Sequence, residues 1–160
     1  MGNNSDGGRL YLGVIGAGNP SREIYDMAEE VGRKAARRGW VVVTGGLGGV
    51  MEAAVKGASE AGGLSLGILP GGDRQEGNIY QTLSVVTNMR HARNSIIAHT
   101  SHALIAVDGE YGTLSEIALG LKLGRPVVGL KVSWKISGII TANSPGDAIN
   151  KVSKLIKWNP

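Results

Sequence analysis

Cysteine and phenylalanine are both missing from this 160-residue chain. Without cysteine there is no disulfide, no thiolate metal site and no cysteine nucleophile. Aromatic side chains are few, three tryptophans and four tyrosines. That is too few for the stacking platform on which single-stranded nucleic acids bind, so no nucleic-acid partner is expected. No apolar run approaches the ~20 residues of a membrane span, and no membrane association is expected. The polar opening, Met1–Gly8, lacks the charged and apolar regions of a secretory signal. It reads as a flexible tail over 1–8 before a single domain over 9–160, with the cytoplasm as the expected location.

Glycine is the excess, 26 residues against a usual share of ~7%. The glycines follow no collagen-like period and sit inside patterned apolar segments, which points to tight turns and close backbone approaches. The formal charge of +4 is placed on helix surfaces. Glu29 precedes Arg33, and Glu30 precedes Lys34, at the favourable four-residue spacing of a solvated helical face.

Apolar runs alternate with helical patterns throughout. Strands are expected at 10–16, 40–43, 64–69, 83–87, 103–107 and 126–130, and helices at 50–61, 89–100, 113–123 and 145–158. A further helix follows Asn19-Pro20, read as N-cap and first helical residue, with Ile24, Ala28, Val31 and Ala35 on one face. Strands separated by helices of this length predict a Rossmann-like, doubly wound parallel sheet of the α/β class. In such sheets ligands bind beyond the carboxyl ends of the strands. The loops at 16–20, 44–49, 69–79 and 108–112 are therefore the candidates.

Gly16-Ala-Gly18-Asn-Pro-Ser21 fails the G-x-G-x-x-G fingerprint, and the second strand ends in Thr44 rather than an acidic residue. Classical NAD binding is thus not expected, and no Walker A sequence is present. Gly45, Gly46, Gly48 and Gly49 join a strand to a helix, where exposed amides and absent side chains favour a bound anion. The third loop, Asp108-Gly-Glu-Tyr-Gly-Thr-Leu-Ser-Glu116, holds Thr113-x-x-Glu116, which equally reads as a capping box. His91, His99 and His102 lack metal-ligand spacing, and no metal is expected. The segment 71–78 is open to two readings, a lid over the site or a plain connection.

These motifs resemble the LONELY GUY proteins, the cytokinin-nucleotide phosphoribohydrolases of the "lysine decarboxylase-like" superfamily. The resemblance rests on Gly109, Gly112, Thr113 and Glu116, on Arg93-Asn94, and on Gly45-Gly46-Leu47-Gly48-Gly49-Val50-Met51. It spans about residues 10–132. Arg93-Asn94 and Gly-Gly-Val-Met-Glu are more similar still to a prokaryotic branch that includes molybdenum-cofactor carrier proteins. The resemblance implies Arg93 and Glu116 as the catalytic pair. It also implies phosphate or nucleotide contacts at Gly16, Gly18, Met89, Gly109, Gly112 and Thr113, besides the four glycines of the second loop. No cofactor is required on this reading. An AMP-like nucleotide, a molybdopterin-type ligand or phosphate is the expected occupant.

Three departures bear on turnover. Asp108 and Glu110 replace the family's proline and glycine, and Asn94 replaces its lysine. Like charges 4 Å apart repel by ~1 kcal/mol in water and about 4 kcal/mol at an effective dielectric of 20. The expectation is a binding or carrier protein for a phosphorylated small molecule. The alternative is hydrolysis of a nucleoside 5′-monophosphate to free base and ribose 5-phosphate, and a ligand-free scaffold is the third possibility. The resemblance further implies a homodimer or higher homo-oligomer, through the helices at 89–100 and 113–123.

Overall fold

The computed structural model describes residues 8–156. The tail expected at 1–8, apart from Gly8, and positions 157–160 lie outside the described residues. Seven apolar segments are strands: β1 (Tyr11–Gly16), β2 (Val41–Thr44), β3 (Ser65–Leu69), β4 (Leu83–Val86), β5 (Ala103–Val107), β6 (Val127–Leu130) and β7 (Ile139–Ala142). Among them run α1 (Arg22–Arg37), α2 (Val50–Glu60), α3 (Asn94–Thr100) and α4 (Tyr111–Lys122), with α5 (Pro145–Leu155) after β7. Every neighbouring pair is parallel, in the order β4-β3-β2-β1-β5-β6-β7. This is the Rossmann-like α/β domain that the alternation predicts.

The chain steps outward from β1 to β4, then returns to lay β5 against the other side of β1. Loops leaving β1 and β5 therefore diverge, and a crevice opens at this switch point. Its floor is the register pair Gly16 and Val107. A Cβ on Gly16 would lie 2.2 Å from the Val107 carbonyl oxygen, so only glycine lets the two strand ends approach this closely.

One face of the sheet packs Leu12, Val14, Val42 and Ile105 under Ala28 and Val31 of α1, Ala54 of α2 and Val152 of α5. The two helices α1 and α2 meet backbone to backbone. A Cβ on Gly32 would fall 1.8 Å from the Ala54 carbonyl oxygen, and one on Gly57 would fall 1.9 Å from that of Glu29. The expected Glu29–Arg33 and Glu30–Lys34 pairs are present at 2.6 and 3.3 Å. They do not simply face water, because Lys56 and Glu60 of α2 also pair with Glu29 and Arg33.

The other face is thinner. Ile97 of α3 and Ile117 of α4 cover Ile15, Val43, Leu104 and Val127, with Val132, Trp134 and Ile136 of the β6–β7 loop alongside. At its β3–β4 end Leu83 is 60% exposed. In the two segments expected to mediate self-association, 89–100 and 113–123, Ile97 and Ile117 are core, Ile96, Leu114 and Leu121 are half-buried, and Ala118 is exposed.

Four local expectations are corrected. The α1 cap is Ser21, whose hydroxyl accepts from the Ile24 amide at 3.3 Å, leaving Asn19 and Pro20 outside the helix. Either side chain type caps well, and the proline belongs to the turn. The helix expected at 89–100 is a 3₁₀ turn, Arg90–Arg93, followed by the shorter α3. Asn88 and Arg90 both hold φ 51°, a left-handed conformation that an α-helix cannot include. Strand β7 comes from a segment left unassigned, since its four residues follow a loop whose apolar side chains pack inward and mask any alternation. Finally, α4 begins at Tyr111 rather than Thr113, so Thr113 and Glu116 form no capping box.

Candidate functional site

The crevice between the β1 and β5 ends is a hollow of about 250 Å³. From the first loop it is lined by Ile15, Gly16 and Gly18, and from α2 by Met51. Across it stand Glu110, Gly112, Thr113 and Glu116 of the α4 start, with His91 and Asn94 closing the end nearest β4.

Helix α4 enters this hollow with no side-chain cap. Its N-cap is Glu110, whose own carboxylate makes no capping bond, and the first intrahelical bond runs from the Leu114 amide to the Glu110 carbonyl. The amides of residues 111–113 thus precede the hydrogen-bonded ladder, where the helix carries its partial positive charge. A Cβ added at Gly18 or Gly112 would meet nothing within 4 Å, so both positions open onto free space. Asp108 (φ 53°) and Gly109 (φ 137°) turn the chain from β5 into α4. A Cβ on Gly109 would strike Thr113 at 2.6 Å, which ties this glycine to the placement of Thr113.

The second loop sits differently. A Cβ on Gly45 would meet the Arg93 guanidinium at 2.6 Å. Gly46 (φ 78°) and Gly49 (φ 68°) press against Leu69 and against the carbonyls of Ala17 and Gly18. Gly48 is exposed, and none of the four lines the hollow. The Val50 amide donates to the Ala17 carbonyl at 3.0 Å, so this loop props up the first one. Met89, 46% exposed, lies outside the hollow as well.

Arg93 is buried behind the hollow. Its Nε donates to the Ile68 carbonyl at 2.9 Å and its Nη2 to the Gly45 carbonyl at 3.3 Å, while Nη1 donates to Asn94 Oδ1. The Asn94 amide then donates to Ser115 Oγ at 3.0 Å, and Ser115 Oγ donates to the Gly112 carbonyl at 2.7 Å. Asn94 can accept from one neighbour and donate to the next, which a lysine cannot do. The relay fixes the α4 start relative to the β2 and β3 ends.

Glu116 is 7% exposed, and its carboxylate accepts no hydrogen bond among the described residues. Burial pushes its pKa up to about 7, with the charge on Arg93 opposing the shift. Burial likewise depresses the Arg93 guanidinium, and Glu116 opposes that. The two feel one another electrostatically without forming a contact ion pair. For each, loss of water outweighs the attraction.

The remaining candidates are held elsewhere. His99 Nδ1 lies 2.8 Å from the Ser95 carbonyl, and the Tyr11 amide donates to His102 Nδ1 at 2.9 Å. No three His, Asp or Glu side chains among the described residues are grouped to hold a metal ion. The 71–78 segment is pinned. Its Asn78 amide donates to the Gly46 carbonyl at 2.9 Å, and Asn78 Nδ2 donates to that of Leu47 at 3.0 Å. Sequence gives no separate role to Ile15 or Ser115, marks Met51 only as the end of the second glycine motif, and weighs His91 only as a metal ligand.

Residues 9–156 match the SLOG cluster4 family. An uncharacterised protein of Archaeoglobus fulgidus is 47% identical over 141 residues, 88% of this chain and 93% of that one. The cytokinin riboside 5′-monophosphate phosphoribohydrolase of Mycobacterium tuberculosis is 33% identical over 120 residues, 69% of this chain but only 61% of that enzyme. Among solved structures, the molybdenum cofactor binding protein of Rippkaea orientalis superposes with a TM-score of 0.88 at 34% identity, covering 92% of this chain and 98% of that one. The molybdenum cofactor carrier protein of Chlamydomonas reinhardtii gives 0.84 at 34% identity, over 94% and 99%. With its relatives divided between phosphoribohydrolases and cofactor carriers, and with nearly all of its described residues inside the match, this chain belongs to the SLOG cluster4 family.

Proposed function

We propose that this protein binds and carries a phosphorylated small molecule, of the nucleotide or pterin-phosphate class, with the phosphate at the start of α4. The uncapped α4 start, facing a hollow bounded by the open glycines 18 and 112, carries this reading. An anion there takes the place of the missing cap and gains from the helix's partial charge. The likeness to cofactor-binding and cofactor-carrier structures supports a role in holding rather than converting the ligand.

Phosphoribohydrolase activity is the second reading, favoured by one observation. Glu116 is a buried carboxyl with a pKa near 7 at the wall of the hollow. A carboxylate so placed can stabilise the positive charge that grows on a ribose as its N-glycosidic bond breaks, or orient the attacking water. Against turnover, Arg93 commits three of its five N–H donors to two carbonyls and Asn94, and Glu110 adds negative charge to the hollow. Calorimetric binding of AMP and of a pterin phosphate, with chromatography for free base, separates the readings. Binding without base release is expected. Base release that disappears in Glu116→Gln establishes the hydrolase, and no binding of either compound overturns both. The homo-oligomer remains part of the proposal, supported by the bare apolar β3–β4 end. Light scattering of a monomer at micromolar concentration overturns it.

A further inference from the structure

A hollow of about 300 Å³ lies over the ends of β6 and β7 and shares no lining residue with the crevice between β1 and β5. Met27 of α1 closes one side. Val132 and Trp134 of the β6–β7 loop, with Ile139 of β7, complete an apolar wall. Gly129 of β6 leaves them the room, since a Cβ there would fall 3.1 Å from Ile139 Cγ2 and 3.2 Å from Val132 Cγ2. The polar side chains of the lining are Lys131, Thr141 and Asn143.

Lys131 is the unusual member. It holds φ 55°, a left-handed conformation uncommon for a long side chain. Backbone strain of this kind gathers at sites that hold ligands. Its counterpart one strand over is Asp108, at φ 53°, which turns the chain into α4 beside the crevice. The two strand ends are joined, because the Asp108 amide donates to the Leu130 carbonyl at 2.9 Å. The Lys131 ammonium is loosely engaged. It lies 3.4 Å from the Glu23 carboxylate, and both side chains are more than half exposed. An ion pair so exposed contributes little and yields to a better-placed anion.

The lining defines an occupant. An ammonium, a hydroxyl and a carboxamide can all donate to one acidic group, and no described carboxylate lines the hollow. Glu23, just outside, opposes a second negative charge. The Trp134 ring, with Met27 and Ile139, suits an apolar body. Small-molecule pockets begin at roughly this volume, so the occupant is small. We propose that this hollow is a second ligand site, for a small monocarboxylate with an apolar body, its carboxylate at Lys131 and its body against Trp134. The site is separate from the phosphate position at α4 and does not depend on it.

Titration calorimetry with phenylacetate tests it, with phenethylamine as the cationic control. One saturable phenylacetate site per chain is expected, undisturbed by excess inorganic phosphate. Phenethylamine is expected to bind at least about ten-fold more weakly, the loss of one charge-assisted contact. Lys131→Gln lowers phenylacetate affinity by about ten-fold. Glu23→Gln, at an exposed position, frees the ammonium and raises affinity by about two-fold. Absence of saturable binding, equal binding of phenethylamine, or an affinity indifferent to both substitutions overturns the site. Displacement of phenylacetate by phosphate also overturns it, because the carboxylate then lies in the crevice.

Discussion

Five helices follow strands at the carboxyl edge of the sheet; α3 continues a 3₁₀ turn, and the other four begin in two ways. Helices α1 and α5 supply their own caps, Ser21 accepting from the Ile24 amide and Ser144 from the Asp147 amide. Helices α2 and α4 have no side-chain cap. The α2 start is partly satisfied from within, by the Ala17 carbonyl. The α4 start, by contrast, lines the hollow with Glu110, Gly112 and Thr113. A cap on an ordinary helix contributes ~1 kcal/mol, so leaving α4 uncapped costs stability where a ligand is able to restore it.

The largest test of that contrast is Glu116, which shares the α4 start. Its folded pKa, about 7, lies above the ordinary 4.5. Below pH 4.5 the group is protonated whether folded or unfolded. Between 4.5 and 7 only the folded chain keeps the proton, so stability falls as pH rises, to a deficit of about 3 kcal/mol above pH 7. Glu116→Gln is expected to remove this slope and to raise stability by about that amount at pH 8, measured by urea unfolding across pH. An unchanged slope refutes the assignment.

Glu110→Asp keeps the charge while supplying a side chain that caps. Anion affinity is expected to fall about ten-fold, by calorimetry, while thermal stability rises by the equivalent of ~1 kcal/mol. Gain in both breaks the link between open amides and binding. Gly112→Ala should likewise stabilise the helix by roughly 0.5–1 kcal/mol and weaken binding, since its Cβ enters otherwise empty space. Ser21→Ala and Ser144→Ala should each cost ~1 kcal/mol and leave anion affinity within two-fold. A binding loss there would mean that all four helix starts serve the ligand.

Much of the fold was legible because strand burial leaves a strong trace. The runs at β1 and β5 are apolar on both faces, and their positions read directly from the sequence. The site was less so, for reasons that particular residues show. Thr113 and Glu116 have capping-box spacing, but spacing does not reveal that the helix starts at Tyr111 and carries Glu116 to a buried wall. Three of the four glycines at 45–49 answer to neighbours far away in sequence, Arg93, Leu69 and Ala17 among them. A glycine that makes room for a side chain and one that makes room for a ligand look alike until the neighbours are placed. Arg93 belongs to the same difficulty, because its donors are claimed by Ile68 and Gly45 carbonyls that no local pattern announces.

The contact of α1 with α2 through Gly32 and Gly57 has a mechanical meaning. Where main chain touches main chain there is no rotamer to yield, so the pair transmits displacement as a solid strut. The turns that launch the two helices form one anchored jaw beneath the crevice, while α4 and the 88–91 bend form the opposing jaw. On the binding function proposed above, crosslinks between α1 and α2 are therefore expected to leave ligand exchange unchanged.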